Sequence, residues 1–189
     1  MKQPMRHRAT LFKLTLLSAL LCCQPASRAM AQGAQRDHLT PAEIELVRDT
    51  QVLDKRTDVF IKAADRRLLL LTDPQAAQSK QVQKDKELWG ELPKGTHTEL
   101  YSDLAGIFDE AITNIDDVAT RDENSPLLPK ALRKLGAAAT RFQTQLSSMR
   151  ASANDAERAQ LDRALSELQE IIDAANKLPP DTKAKPPKL

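Results

Sequence analysis

The sequence predicts an all-α protein, an antiparallel four-helix bundle with a long first helix and a long connection between helices 1 and 2. Three observations lead there. Aromatic residues make up only 3 % of the chain, whereas the unbranched residues that lose little rotamer freedom in a helix abound. Apolar residues recur at helical rather than strand spacing in four separate stretches. Three of those stretches open on a capping box, in which a Thr or Asn and a Glu three residues on satisfy each other's backbone N–H groups: Thr40 with Glu43, Thr96 with Glu99, and Asn154 with Glu157.

The first helix starts at Pro41, since proline is pre-organised for the first helical position behind the Thr40 cap. Leu46, Leu53, Phe60, Ala64, Leu68 and Leu71 form one stripe until Asp73-Pro74 stops it. At ~1.5 Å per residue this helix would approach ~48 Å. Behind Thr96, Leu100, Leu104, Ile107, Phe108, Ala111, Ile115 and Val118 mark a second helix ending near Thr120. The polar run Arg121 to Ser125 with Pro126 is a turn. Leu128, Leu132, Leu135, Ala139, Phe142, Leu146 and Met149 mark a third helix from Pro129 to near Arg150. Leu161, Leu165, Leu168, Ile172 and Ala175 mark a fourth, which Pro179-Pro180 ends. A three-helix bundle with a continuous last pair is the structural alternative. The Gln- and Lys-rich stretch Asp73 to Gly95 reads as a partly helical crossover or a mobile loop, pinned to the bundle side by Trp89.

Residues 1–31 have the layout of a secretory signal: Lys2, Arg6 and Arg8, an apolar run from Leu14 to Cys23, and the small-x-small site Ala29-Met30-Ala31. The expected domains are therefore a signal peptide over 1–31, a helical bundle over 32–178 and a disordered Pro/Lys-rich tail over 179–189. Leu21 and Cys22, rather than a small residue, precede Cys22 and Cys23, which argues against lipidation. Cleavage after Ala31 would leave a chain without cysteine, hence without disulfide, thiolate nucleophile or thiolate metal site. It also removes five basic residues and no acid, so the formal charge of +2 falls to −3. The remaining charges are interspersed, the pattern of a solvated helical surface, and nucleic acid is not an expected partner. No stretch after the signal approaches the ~20 apolar residues that span a bilayer. The expected location is exported, periplasmic or extracellular in a bacterium.

Chemistry has little to work with. After residue 31 the histidines are His38 and His97, neither on a helix face, and there is no Glu-x-x-His pair, phosphate-binding loop or Gly-x-Ser-x-Gly elbow. No catalytic residue, cofactor or metal ligand is expected. The unusual polar feature is on the first helix, where a projection at ~100° per residue puts Arg56 and Arg67 on the border of the apolar stripe. Asp103 and Glu110 flank the stripe of the second helix. If Arg67 meets Asp103 or Glu110, the pair sets helix register. Alternatively, Arg56 and Arg67 make an internal site for an anion or a carboxylate.

Asp54-Lys55-Arg56-Thr57-Asp58-Val59-Phe60, Asp109-Glu110-Ala111-Ile112-Thr113-Asn114 and Pro129-Lys130-Ala131-Leu132 resemble segments of uncharacterised secreted bacterial helical proteins. The resemblance implies an exported bacterial protein and carries no activity. Two functional expectations follow: a non-enzymatic exported bundle acting through contacts with a protein partner or with itself, or a sensor of a small anion or metal whose site lies between helices.

Overall fold

A computed structural model describes residues 36–180, and within them six α-helices and no strand. The expected signal and residues 181–189 of the expected tail lie outside the described residues. The helices are α1 (Pro41–Asp49), α2 (Leu53–Thr72), α3 (Lys80–Trp89), α4 (His97–Arg121), α5 (Leu127–Met149) and α6 (Asp155–Asn176), with a 3₁₀ turn at Pro74–Gln78 between α2 and α3. All three expected capping boxes form, at Thr40, Thr96 and Asn154.

The long first helix is the main correction. The chain leaves the helical conformation at Thr50, whose φ and ψ are −88° and 95°, and re-enters at Leu53, so two helices stand where one was expected. The β-branched Thr50 and Val52 weaken helix propensity there. Tertiary contacts supply the larger reason. In a continuous helix Glu43 and Arg66 would lie ~35 Å apart, whereas the break lets α1 fold back along α2 until Glu43 Oε1 is 2.5 Å from Nη1 of both Arg66 and Arg67. Among the described residues the longest helix is instead α4, with 25 residues.

The crossover at 73–95 is partly helical. Ser79 caps α3 by accepting from the Val82 N–H, and Gly90 ends it with φ 65°, in the left-handed region that favours glycine. A Cβ on Gly90 would also sit 2.9 Å from Ala42 Cβ, so glycine permits the close approach of α1. No residue of α3 is buried, but Trp89 is half-buried against the core.

Side-chain pairs give the helix directions. Arg56 bonds Asn114, and Arg67 approaches Asp103, so α2 and α4 run antiparallel. Gln143 with Gln169 and Arg150 with Asp162 do the same for α5 and α6. Two other packed pairs run parallel, which the expectation of an antiparallel arrangement did not include. Asp54 with Lys130, Asp58 with Lys134 and Asp65 with Arg141 advance together along α2 and α5, and His97 and Glu157 meet at the N-terminal ends of α4 and α6. α2 and α6 are not packed against each other. Between the helices lies a core that includes Phe60, Leu104, Phe108, Leu135, Phe142, Leu146, Leu161 and Leu168, all almost fully buried. Phe108 and Phe142 meet edge to face with centroids 5.0 Å apart.

Candidate functional site

The densest chemistry is a buried ionic cluster where α1, α2, α4 and the end of the 73–95 excursion converge. Glu43 is inaccessible to solvent, and Arg67, Arg66 and Asp103 are 1 %, 6 % and 3 % exposed. Charges so deeply buried persist only when paired and hydrogen-bonded. Glu43 divides its carboxylate between two tasks: Oε2 accepts from the Thr40 N–H at 2.8 Å, completing the cap of α1, and Oε1 accepts from both arginines. Arg66 donates further to the carbonyls of Trp89, Gly90 and Glu91, fastening the excursion, and its guanidinium lies 5.8 Å from the Trp89 ring centre. Burial pushes Arg66 below its ordinary value, against the pull of Glu43.

Arg67 donates to the carbonyls of Ala63 and His38 as well as to Glu43, and its Nε is 3.7 Å from Asp103 Oδ2. Asp103 also accepts from Arg36 at 2.8 Å. Its carboxyl is raised by burial above the ordinary aspartate value, with Arg36 and Arg67 opposing the rise.

The four residues singled out in the sequence thus separate. Arg67 and Asp103 come together in the cluster. Glu110 does not meet Arg67 and bonds His38 instead, Oε2 to Nε2 at 2.6 Å. Arg56 stands at the break between α1 and α2, where its Nε donates to the Thr50 carbonyl freed by the interrupted helix and its Nη1 to Asn114. Arg56 and Arg67 therefore do not converge on a common ligand position, and the Nη groups of Arg67 are engaged by the chain itself. Glu43 and Arg66 are the members that sequence reasoning missed. Glu43 reads as a cap residue, and Arg66 projects ~140° away from the stripe centre at Leu53, onto a face that α1 and the excursion cover.

Beside this cluster a cleft of about 270 Å³ opens between α2 and the excursion. Its walls include Leu69, Ala77, Val82 and Leu92, and Arg66, Lys62, Asp85, Lys86 and Glu91 supply polar groups. Those polar groups are paired in place: Lys62 with Asp85 at 2.8 Å and Lys86 with Glu91 at 2.5 Å. The Lys62 ammonium holds the Asp85 carboxyl below its ordinary value. An apolar floor under a charge-balanced rim selects for apolar bulk rather than for ionic charge.

Among the described residues no group of three or more His, Cys, Asp or Glu side chains is arranged to hold a metal ion, and no helix is long and apolar enough to cross a membrane. A comparison of the chain with protein families, curated proteins and solved structures finds no match.

Proposed function

We propose that the protein is a non-enzymatic, exported helical module that acts through protein contacts, using the 73–95 excursion and its cleft as the contact surface. In this reading α2, α4, α5 and α6 form a four-helix bundle that serves as the scaffold, and the Glu43 cluster holds the excursion at a fixed place on its side. The observation that carries the proposal is the apolar-walled cleft of about 270 Å³ beside α3, a helix that buries none of its residues and leaves Leu88 63 % exposed. The apolar walls of the cleft and the exposed Leu88 on the same excursion supply apolar surface that a partner can cover.

The test is site-specific cross-linking in the native host. A photoreactive residue at Leu88 should give one discrete adduct, with a protein partner or a second copy, that excess unlabelled chain competes away. The same probe at the exposed Arg163 of α6 should not. Identical adduct patterns from the two positions would overturn the proposal.

The cleft also favours a second reading, binding of a small apolar ligand, because cavities of this order accept ring-sized molecules. A ligand bound there raises the melting temperature by mass action, and Leu69→Trp, which fills the cleft, removes the rise.

A further inference from the structure

The segment that leads into α1 lies along one face of α4, and that face is shaped to receive it. Glu99, Asp103, Gly106 and Glu110 fall at intervals of four, three and four residues, so they form a single track along the helix. Arg36 reaches the first two carboxylates, Asp103 at 2.8 Å and Glu99 at 3.6 Å. His38 reaches the last, Glu110, at 2.6 Å. Between them Gly106 makes the space for the imidazole, since a Cβ there would lie 2.8 Å from His38 Cγ. From the other side Arg67 of α2 donates to the His38 carbonyl at 2.7 Å, and Leu39 is buried.

We propose that His38 and Glu110 form a pH-operated latch, which holds residues 36–40 on the acidic track of α4 when the imidazole is protonated and loosens them when it is neutral. This goes beyond the contact function proposed above and is independent of it. The charged groups around the imidazole are Glu110 and Asp103 on α4, Arg67 on α2, and Arg36 and Asp37 on the segment itself. The hydrogen bond that the imidazolium donates to Glu110 raises His38 above its ordinary value of 6.5, against burial, which lowers it. For a group raised on folding, the stabilisation is complete below the unfolded value and is lost as pH climbs through the raised one. The latch therefore closes on the acidic side and loosens toward alkaline pH. Asp103, the other titratable carboxyl near the imidazole, is raised by burial, with Arg36 and Arg67 opposing the rise, so His38→Gln is the variant that separates its titration from that of His38. Loosening is graded rather than complete, because the Arg36–Asp103 pair survives the loss of the imidazolium charge.

The experiment is amide hydrogen exchange on the full chain at a series of pH values spanning the His38 titration, corrected for the intrinsic pH dependence of exchange, with the His38 imidazole followed by NMR. Protection of residues 39–43 should fall about threefold or more across the titration, while that of α5 and α6 stays level. His38→Gln keeps a donor for Glu110 but cannot titrate, so it should abolish the pH dependence, and Glu110→Gln should bring the His38 titration back toward 6.5. His97→Gln, at the other histidine among the described residues, should change nothing. Level protection through the His38 titration, or a pH dependence that persists in His38→Gln, would overturn the latch.

Discussion

The two ends of α2 combine apolar packing and charge in different proportions. At its Leu53–Phe60 end Leu53 and Phe60 are buried in the core with Phe108 and Phe142, and the charged pairs, Asp54 with Lys130 and Asp58 with Lys134, use lysines that reach in from the partly exposed face of α5. The Arg66–Arg67 end of α2 is joined to α1, α4 and the excursion through buried charge. An apolar core is insensitive to which neighbour supplies each contact, provided the volume is filled. A buried ionic cluster depends on every member, since removing one partner strands the others in a medium that solvates them poorly. The apolar region should therefore lose stability in proportion to the volume removed, and the ionic region by whole steps.

The largest effect is expected in the apolar region. Phe142→Ala deletes a ring that packs edge to face on Phe108 and should lower the unfolding free energy by about 4 kcal/mol, read from urea denaturation followed by circular dichroism. All helices should unfold together at the lower midpoint.

Next comes Glu43→Gln, with an expected loss of about 3 kcal/mol, because it leaves Arg66 and Arg67 without their shared counter-charge. Its signature differs in place as well as size. Exchange should accelerate across 40–49 and at 90–95, where the arginines fasten the chain, before it does in α5 and α6. Adding Arg67→Met to Glu43→Gln should recover part of the loss, since an apolar side chain of similar length no longer needs a counter-charge. No recovery in the double variant would mean that the cluster holds by shape rather than by charge.

The same contrast explains what was legible in the sequence. Apolar periodicity depends only on local spacing, so the stripes of α4, α5 and α6 could be read directly, and Leu104, Phe108, Leu135, Phe142, Leu161 and Leu168 are buried as those stripes require. The ionic cluster depends on segments far apart in the chain. Glu43 and Arg66 are 23 positions apart, and nothing in either neighbourhood announces the other until α1 folds back. Leu46 and Leu53, seven residues apart, fit a continuous helix and a broken one equally well, which is why the break was not visible. The capping box at Thr40 was real, yet it accounted for only one oxygen of Glu43. One available hint was the adjacent pair Arg66-Arg67: two neighbouring helical positions point ~100° apart, so an arginine on the stripe border beside another implies polar surroundings on two faces.

A smaller effect tests close packing between α5 and α6. Gly136 is buried, and a Cβ there would collide with Ala175 Cβ, so Gly136→Ala sets overpacking against the gain in helix propensity of about 1 kcal/mol. The collision should win, with a net loss of about 1 kcal/mol in the same denaturation assay. Ala175→Gly in the Gly136→Ala background should then return stability to within about 0.5 kcal/mol of the original, helix propensity having merely moved from one helix to the other.

The smallest effect separates an exposed charge from what lies beneath it. Arg141 donates to Asp65 at 2.7 Å, and its guanidinium also lies 4.6 Å from the Phe142 ring centre. Both partners are more than a third exposed, so water and salt screen the pair, and Asp65→Ala should cost less than about 0.5 kcal/mol. Arg141→Ala removes the same pair together with the cover over Phe142, and should cost about 0.5–1 kcal/mol more. Raising the salt concentration should shrink the first loss and leave most of the difference between the two variants. Equal losses that vanish together in salt would show that Arg141 acts on this core through its charge alone, and that the boundary between the apolar and ionic regions is less sharp than their buried members suggest.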